Sequence, residues 1–386
     1  MCSSDLAYRA GMFTIYYGSS AGLVTTSGTT EVQASQASAN LGYAIAFAGD
    51  VNGDRFADAV AGAPLYDDGE TDEGAVFVYE GDASGLSATA TTEIEGDQAG
   101  GYLGIGVTGA GDVNGDGYDD VAAVANNYDD GESNEGVFVL SFGSATGASA
   151  AWSWYAGSDH ANSRCLQVEG VGDTNRDGYD DLLGSCVGHD GTASDIGKAM
   201  LWYGGVSGPA STTPDWSVTG DEEDDGLGNR IAALHDIDGD GLADFAVGTV
   251  EDDINMTDQG SVSVFLGGTG GISATPDLVF TENFTDDLFG TRMSGSSDVE
   301  GDGIPELFVT AAERDIVYVY TFLDSDDDGT MDWLDCAPDD ATRAEDCGDG
   351  DTGEPAVDRR RRSWARTAAR RPGTRWRPAA RRRGTR

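Results

Sequence analysis

One acidic dozen recurs five times along the chain. It reads "GDVNGDRFADAV" from Gly49, "GDVNGDGYDDVA" from Gly111, "GDTNRDGYDDLL" from Gly172, "HDIDGDGLADFA" from His235 and "SDVEGDGIPELF" from Ser297, at intervals of 62, 61, 63 and 62 residues. A fixed period of this size overrides the two or three domains that the 386-residue length would otherwise suggest, because repeat units share one architecture. The second repeat serves as a template. "YLGIGVTGAGD" is a short apolar-alternating run, "DVAAVANN" follows the acidic loop, "VFVLSFG" follows a polar loop, and "AAWSWYAG" closes the unit. Such runs of about five to seven residues, punctuated by Gly, Asp and Asn, read as strands. The third strands of the other units are "AVFVYEG", "AMLWYGG", "VSVFLGG" and "IVYVYTF"; the fourth are "TTEIEG", "DWSVTG" and "DLVFTE". No segment carries a convincing helical period.

Four antiparallel strands repeated radially make a propeller blade. The expected fold is therefore all-β, a β-propeller of four-stranded antiparallel blades. A parallel solenoid would need shorter coils and ranks well below it. "MFTIYYGSSAG" and "TTEVQAS" read as the third and fourth strands of a half blade. Five blades and this half are visible, the last ending at its third strand, so closure of a ring calls for between half a blade and one and a half blades more.

The loop between the first two strands of each unit answers why the dozen recurs. Counted from its first Asp, it places carboxylates or amides at positions 1, 3, 5 and 9, usually with Gly at 6. These are Asp50, Asn52, Asp54 and Asp58; Asp112, Asn114, Asp116 and Asp120; Asp173, Asn175, Asp177 and Asp181; Asp236, Asp238, Asp240 and Asp244; and Asp298, Glu300, Asp302 and Glu306. Alternate residues placing oxygens on one side of a tight turn is how calcium, which takes six to eight hard oxygen ligands, is caged. The backbone carbonyl at position 7 adds a ligand from Phe56, Tyr118, Tyr179, Leu242 and Ile304, whose apolar side chains would anchor the loop inward. Arg55 takes the glycine position in the first loop, which implies strain there. Without a metal, each carboxylate pair at about 4 Å costs roughly 4 kcal/mol at an effective dielectric near 20. An EF-hand is excluded, since no flanking helices are written and position 12 lacks its glutamate. In the fifth loop Glu300 and Glu306 are a methylene too long.

Charge agrees with cation binding. The net charge is −47, but residues 359–386 hold 13 of the 22 basic residues and no acidic one, so the body sets nine against 69. A body near −60 repels nucleic acid and anionic membranes. No window approaches the roughly 18 unbroken apolar residues of a membrane helix. Residues 1–6, "MCSSDL", read as an assembly scar. Residues 348–386 read as a flexible linker followed by a basic tail, either frame-shifted or a genuine arm for anionic polymers. Beyond Cys2, four cysteines remain without a CxxC spacing. Two disulfides, Cys165–Cys186 and Cys336–Cys347, stand against four free thiols.

The pattern over about residues 12–323 resembles the FG-GAP repeats of integrin α-subunit propellers. The Phe-Gly element stands as Leu41-Gly42, Leu103-Gly104, Leu227-Gly228 and Phe289-Gly290, and the Gly-Ala-Pro element as Gly62-Ala63-Pro64. The third unit departs most: its Gly is Cys165 and its Ala is Cys186, which favours a bridge between neighbouring strands. The resemblance implies a seven-bladed ring, of which residues 7–323 are a part truncated at the N-terminus, with calcium in the hairpins of one face and ligand contact on the other. "DSDDDGTMDWLDCAPDD" in residues 324–347 repeats the spacing with Asp324, Asp326, Asp328, Asp332 and Asp335, and resembles a thrombospondin type 3 calcium repeat. An acidic linker is the plainer alternative.

The loops on the other face carry Asp67, Asp68, Glu70, Asp129, Asp130, Glu132 and Asp221 to Asp225. They read first as a solubilising surface and second as a rim for protein or glycan ligands. Among the three histidines, His235 aligns with Gly49 and reads as a packing variant, while His160 and His189 lie on opposite-face loops. No Gly-x-Ser-x-Gly, His-Glu-x-x-His or phosphate-binding loop occurs, so a non-enzyme is expected. Trp152, Trp154, Trp202 and Trp216 read as core rather than as glycan platforms. The sequence thus points to an extracellular or cell-surface adhesion or ligand-binding propeller with structural Ca²⁺. A lectin is the alternative, and a polysaccharide-cleaving propeller ranks below it.

Overall fold

The computed structural model describes residues 10–19, 22–23, 29–254, 257–282, 284–285, 288–299, 301 and 303–322. Residues 1–6, the whole segment from Asp324 to Asp335 with Cys336 and Cys347, and the tail lie outside the described residues, as do Glu300 and Asp302.

The described part is a β-propeller. A two-stranded sheet (Met12–Tyr16 with Thr29–Gln33) is followed by four four-stranded antiparallel sheets and one of three strands, the half blade and five blades that the sequence predicts. In the second blade the strands are Leu103–Gly111, Asp120–Ala125, Val137–Ser141 and Trp154–Gly157, paired in simple meander order. The first and third blades begin at Ile45–Gly49 and Cys165–Gly172, and the fourth and fifth at Leu227–His235 and Phe289–Ser297.

The position of each strand in its blade sets its pattern. The first strand of the second blade alternates buried and half-buried residues. The second strands "DAVAGA" and "DVAAVA" are buried at every position, because both faces of a mid-sheet strand meet neighbouring blades. Apolar cores lie between successive blades. Val60, Val76 and Val78 of the first blade pack with Leu103, Val121 and Val139 of the second. Phe138 and Leu140 of the second pack with Leu182, Met200 and Trp202 of the third. Trp216, Phe245 and Phe265 form an aromatic trio between the third and fourth blades. Each fully buried side chain of this size stabilises by about 1.5–3 kcal/mol. Trp202 and Trp216 are buried and Trp152 and Trp154 pack against cores, as expected.

First strands of adjacent blades meet backbone to backbone, which makes them innermost. A Cβ at Gly109 would lie 2.6 Å from Phe47 O, and one at Gly170 would lie 2.7 Å from Ala110. The Phe-Gly and Gly-Ala-Pro elements meet in the same way: a Cβ at Gly62 would lie 1.9 Å from the Gly104 carbonyl. Cys165 and Cys186, paired across the first two strands of the third blade, form the expected disulfide.

Candidate metal centres in the hairpin loops

The first Asp of each hairpin folds the turn onto its own carboxylate. Asp112 Oδ1 accepts the N–H of Asp116 at 2.9 Å, and Oδ2 that of Gly117 at 2.8 Å. Asp50 does the same with Asp54 and Arg55, and Asp173 with Asp177 and Gly178. Asp236 takes Gly239 and Gly241, and Asp298 takes Gly301 and Gly303. Position 5 then accepts from position 7: Asp54 from Phe56, Asp116 from Tyr118, Asp177 from Tyr179 and Asp240 from Leu242. This winding needs left-handed backbone at position 6 and also at position 4, which the sequence reading missed. Gly115 and Gly117 have φ of 71° and 91°. Arg55 at position 6 of the first loop has φ 74°, and Arg176 at position 4 of the third has φ 68°, so both are strained.

The position-9 carboxylates are the most deeply set. Asp58, Asp120, Asp181 and Asp244 are 0% exposed and Glu306 is 2%. Each Asp pins two elements. Asp120 Oδ2 accepts the N–H of Val113 at 3.0 Å and Oδ1 that of Gly143, beyond the third strand, at 2.9 Å. Asp58 binds Val51 and Gly81, Asp181 binds Thr174 and Gly204, and Asp244 binds Ile237 and Gly267. Burial pushes these carboxyls up, Asp58 to about 6, Asp120 and Asp181 to about 7 and Asp244 to about 8, against the lowering by the backbone N–H groups.

The fourth loop brings three of its expected ligands together. One carboxylate oxygen each from Asp236, Asp238 and Asp244 lies within 4.8 Å of the other two. Oxygens bound to one calcium at about 2.3–2.6 Å can be no further apart than about 5 Å, so the trio fits a hard divalent cation. Among the described residues, the first three loops do not bring three carboxylates so close. Their third position is Asn, and its amide nitrogen donates to the position-5 carboxylate: Asn52 to Asp54 at 3.3 Å, Asn114 to Asp116 at 3.1 Å and Asn175 to Asp177 at 2.9 Å. The amide oxygen in turn accepts the position-5 N–H, at 2.9 Å in Asn52 and 2.8 Å in Asn114 and Asn175, which sets this orientation.

Adjacent hairpins are tied through a position that the sequence reading left unassigned. The carboxylate at position 8 accepts the first N–H of the preceding loop: Asp119 Oδ2 from Asp50 at 2.6 Å, and Asp180 Oδ2 from Asp112 at 2.8 Å. A Cβ at Gly49 or Gly111 would lie 2.1 Å from that oxygen, which explains the glycine before each of these loops. In the fourth repeat position 8 is Ala243, and in the fifth Pro305. With no carboxylate opposite, the glycine before the fourth loop is replaced by His235, which is exposed at φ 55° rather than packed, a correction to its reading as a packing variant.

Position-7 side chains also reach the preceding loop. Tyr118 and Tyr179 cover Gly53 and Gly115, where a Cβ would lie 2.7 and 2.5 Å from a ring carbon. Leu242 is buried and Ile304 joins the core between the fourth and fifth blades. Phe56 departs from the expectation of an inward anchor and is 40% exposed.

On the other face Asp67, Asp68, Glu70, Asp129, Asp130, Glu132 and Asp221 to Asp224 are exposed, while Asp225 is buried and accepts the N–H groups of Asp221 and Glu222. Gln36 and Gln98 clamp successive loops, each exchanging two hydrogen bonds with the backbone of Asp67 and Asp129. Asp68, Glu93 and Glu95 form a second close carboxylate trio there. His160 and His189 meet edge to face.

Residues 41–79 match the FG-GAP repeat family. The chain is 32% identical over 160 residues to integrin alpha-5 of Xenopus laevis, covering 38% of this chain and 15% of that protein. It is 32% identical over 156 residues to integrin alpha-IIb of Mus musculus (39% and 15%), and 27% identical over 221 residues to integrin alpha pat-2 of Caenorhabditis briggsae (53% and 17%). The chain thus spans less than a fifth of the length of these relatives, their shares being 15% and 17%. With these matches set beside the blades and their hairpins, the chain is a β-propeller whose residues 41–79 match an FG-GAP repeat and whose sequence is similar to integrin α-subunits.

Proposed function

We propose that this chain is the propeller of an extracellular or cell-surface adhesion protein that takes a protein ligand on the loop face opposite the acidic hairpins, and that the hairpins hold calcium structurally. The observation carrying the calcium reading is the convergence of Asp236, Asp238 and Asp244 within one ion's span, on a turn whose winding recurs in the other blades. The ligand set in each loop is the first, third, fifth and ninth side chains with the position-7 carbonyl. Calcium neutralises carboxylates that the nine basic residues before the tail are too few to offset. The disulfide in the third blade supports an oxidising compartment. The sequence likeness to integrin alpha-5 and alpha-IIb supports adhesion.

As an extracellular module, the loops should bind calcium at around 10⁻⁴ to 10⁻³ M. Thermal melts with millimolar calcium and with excess chelator test the reading. Calcium should raise the melting temperature sharply; a melt that chelator leaves unchanged would refute the structural role. Protein and glycan arrays probed in calcium then test the ligand. Retention on extracellular matrix proteins supports adhesion, whereas binding confined to glycans overturns it in favour of a lectin.

A further inference from the structure

The third blade gathers chemistry that the calcium hairpins do not use. His160 stands between the last strand of the second blade and the first of the third, and His189 between the second and third strands of the third blade. The antiparallel meander puts both at the end of the blade remote from the acidic hairpin. Their ring centroids are 5.0 Å apart at an interplanar angle of 66°. His160 Nδ1 lies 3.0 Å from the Ala161 carbonyl, so it carries the proton and leaves Nε2 as a bare acceptor. A ring nitrogen held on a backbone carbonyl is the usual support of a metal-binding imidazole. His189 Nδ1 is buried and has no hydrogen-bond partner, a costly state unless something occupies it.

We propose that His160 and His189 form a binding site for a borderline divalent transition metal, zinc or copper(II), distinct from the calcium loops. Imidazole nitrogen selects such ions, whereas calcium prefers oxygen. Tetrahedral zinc with Zn–N of about 2.0–2.1 Å puts the centroids of two imidazole ligands roughly 5 Å apart, the separation seen here. Water completes the shell, since among the described residues no carboxylate joins the two imidazoles at ligand spacing. Near His189, Lys198, the chain's only lysine, opposes a cation and Asp190 favours one.

Isothermal titration of the full chain with zinc, in calcium high enough to fill the oxygen sites, tests this. Wild type should bind one equivalent. His160→Gln and His189→Gln should each weaken binding at least tenfold, and His235→Gln should leave it unchanged. Melts of each variant in calcium check that the blade is intact. The second readout is the copper(II) electron paramagnetic resonance spectrum, which should show nitrogen hyperfine structure in wild type and lose it in the double variant. Zinc affinity unaffected by both substitutions, or a copper spectrum with oxygen ligands alone, overturns the proposal.

Discussion

At the residue scale, much of the repeat's glycine content is a matter of clearance. Gly111 combines φ 75° with a Cβ position 2.1 Å from the Asp180 carboxylate, whereas Gly172, at φ 88°, faces only the Ala243 methyl at 3.0 Å. Both substitutions to Ala incur the left-handed penalty of about 1–2 kcal/mol. Gly111→Ala also expels Asp180 from the Asp112 N–H, a charge-assisted bond that contributes about 1.5–3 kcal/mol. Urea unfolding in calcium should therefore show Gly111→Ala to be the more destabilising by about 2 kcal/mol. Equal costs would remove the inter-blade bond from the account.

At the element scale, pairs of inner strands carry a pH response. Glu169, on the first strand of the third blade, meets Thr108 Oγ1 of the second at 3.3 Å. Burial pushes its carboxyl up to about 7, partly offset by the Thr108 hydrogen bond. A folded value above the unfolded one means that its contribution is full below about pH 4 and is lost as pH rises through about 7. Glu169→Gln should accordingly raise the melting temperature at pH 8 and leave it nearly unchanged at pH 4.5; a shift equal at both would refute this. The strands themselves were legible because alternation and unbroken apolar runs are local signals. The two-residue ladder Gly81–Asp82 with Gly85–Leu86 was not, because it is held from the half blade: Tyr17 Oη accepts the Leu86 N–H at 2.6 Å and Thr30 donates to the Leu86 carbonyl. The position-8 carboxylates escaped for the same reason, their bonds spanning 69 and 68 residues. The ligand spacing was legible, but the burial of the ninth residue and the amide orientation of Asn52, Asn114 and Asn175 depend on the next element and were not.

For the molecule as a whole, the formal charge of −47 is the dominant electrostatic fact. Self-repulsion destabilises a compact state, and salt screens it over a Debye length. In chelator, raising sodium chloride from roughly 0.05 M to 0.5 M should raise the melting temperature by several degrees. In calcium the rise should be much smaller if, as proposed, the ions balance the hairpins. A salt response identical in both media would show that the loops are not where the repulsion concentrates.

The hairpins of the first three blades are laced to one another by side-chain clasps at Asp50 and Asp112, but at the third-to-fourth junction Ala243 leaves the Asp173 amide with no such clasp. Arg176, reaching the Asp240 carbonyl, and the backbone bonds from Ala243 to Asp173 and from Gly268 to Thr174 cross that gap instead. Pro305 leaves the next junction without a clasp as well, so heat or mechanical pull should part the fourth and fifth blades from their neighbours before it parts the first three from one another.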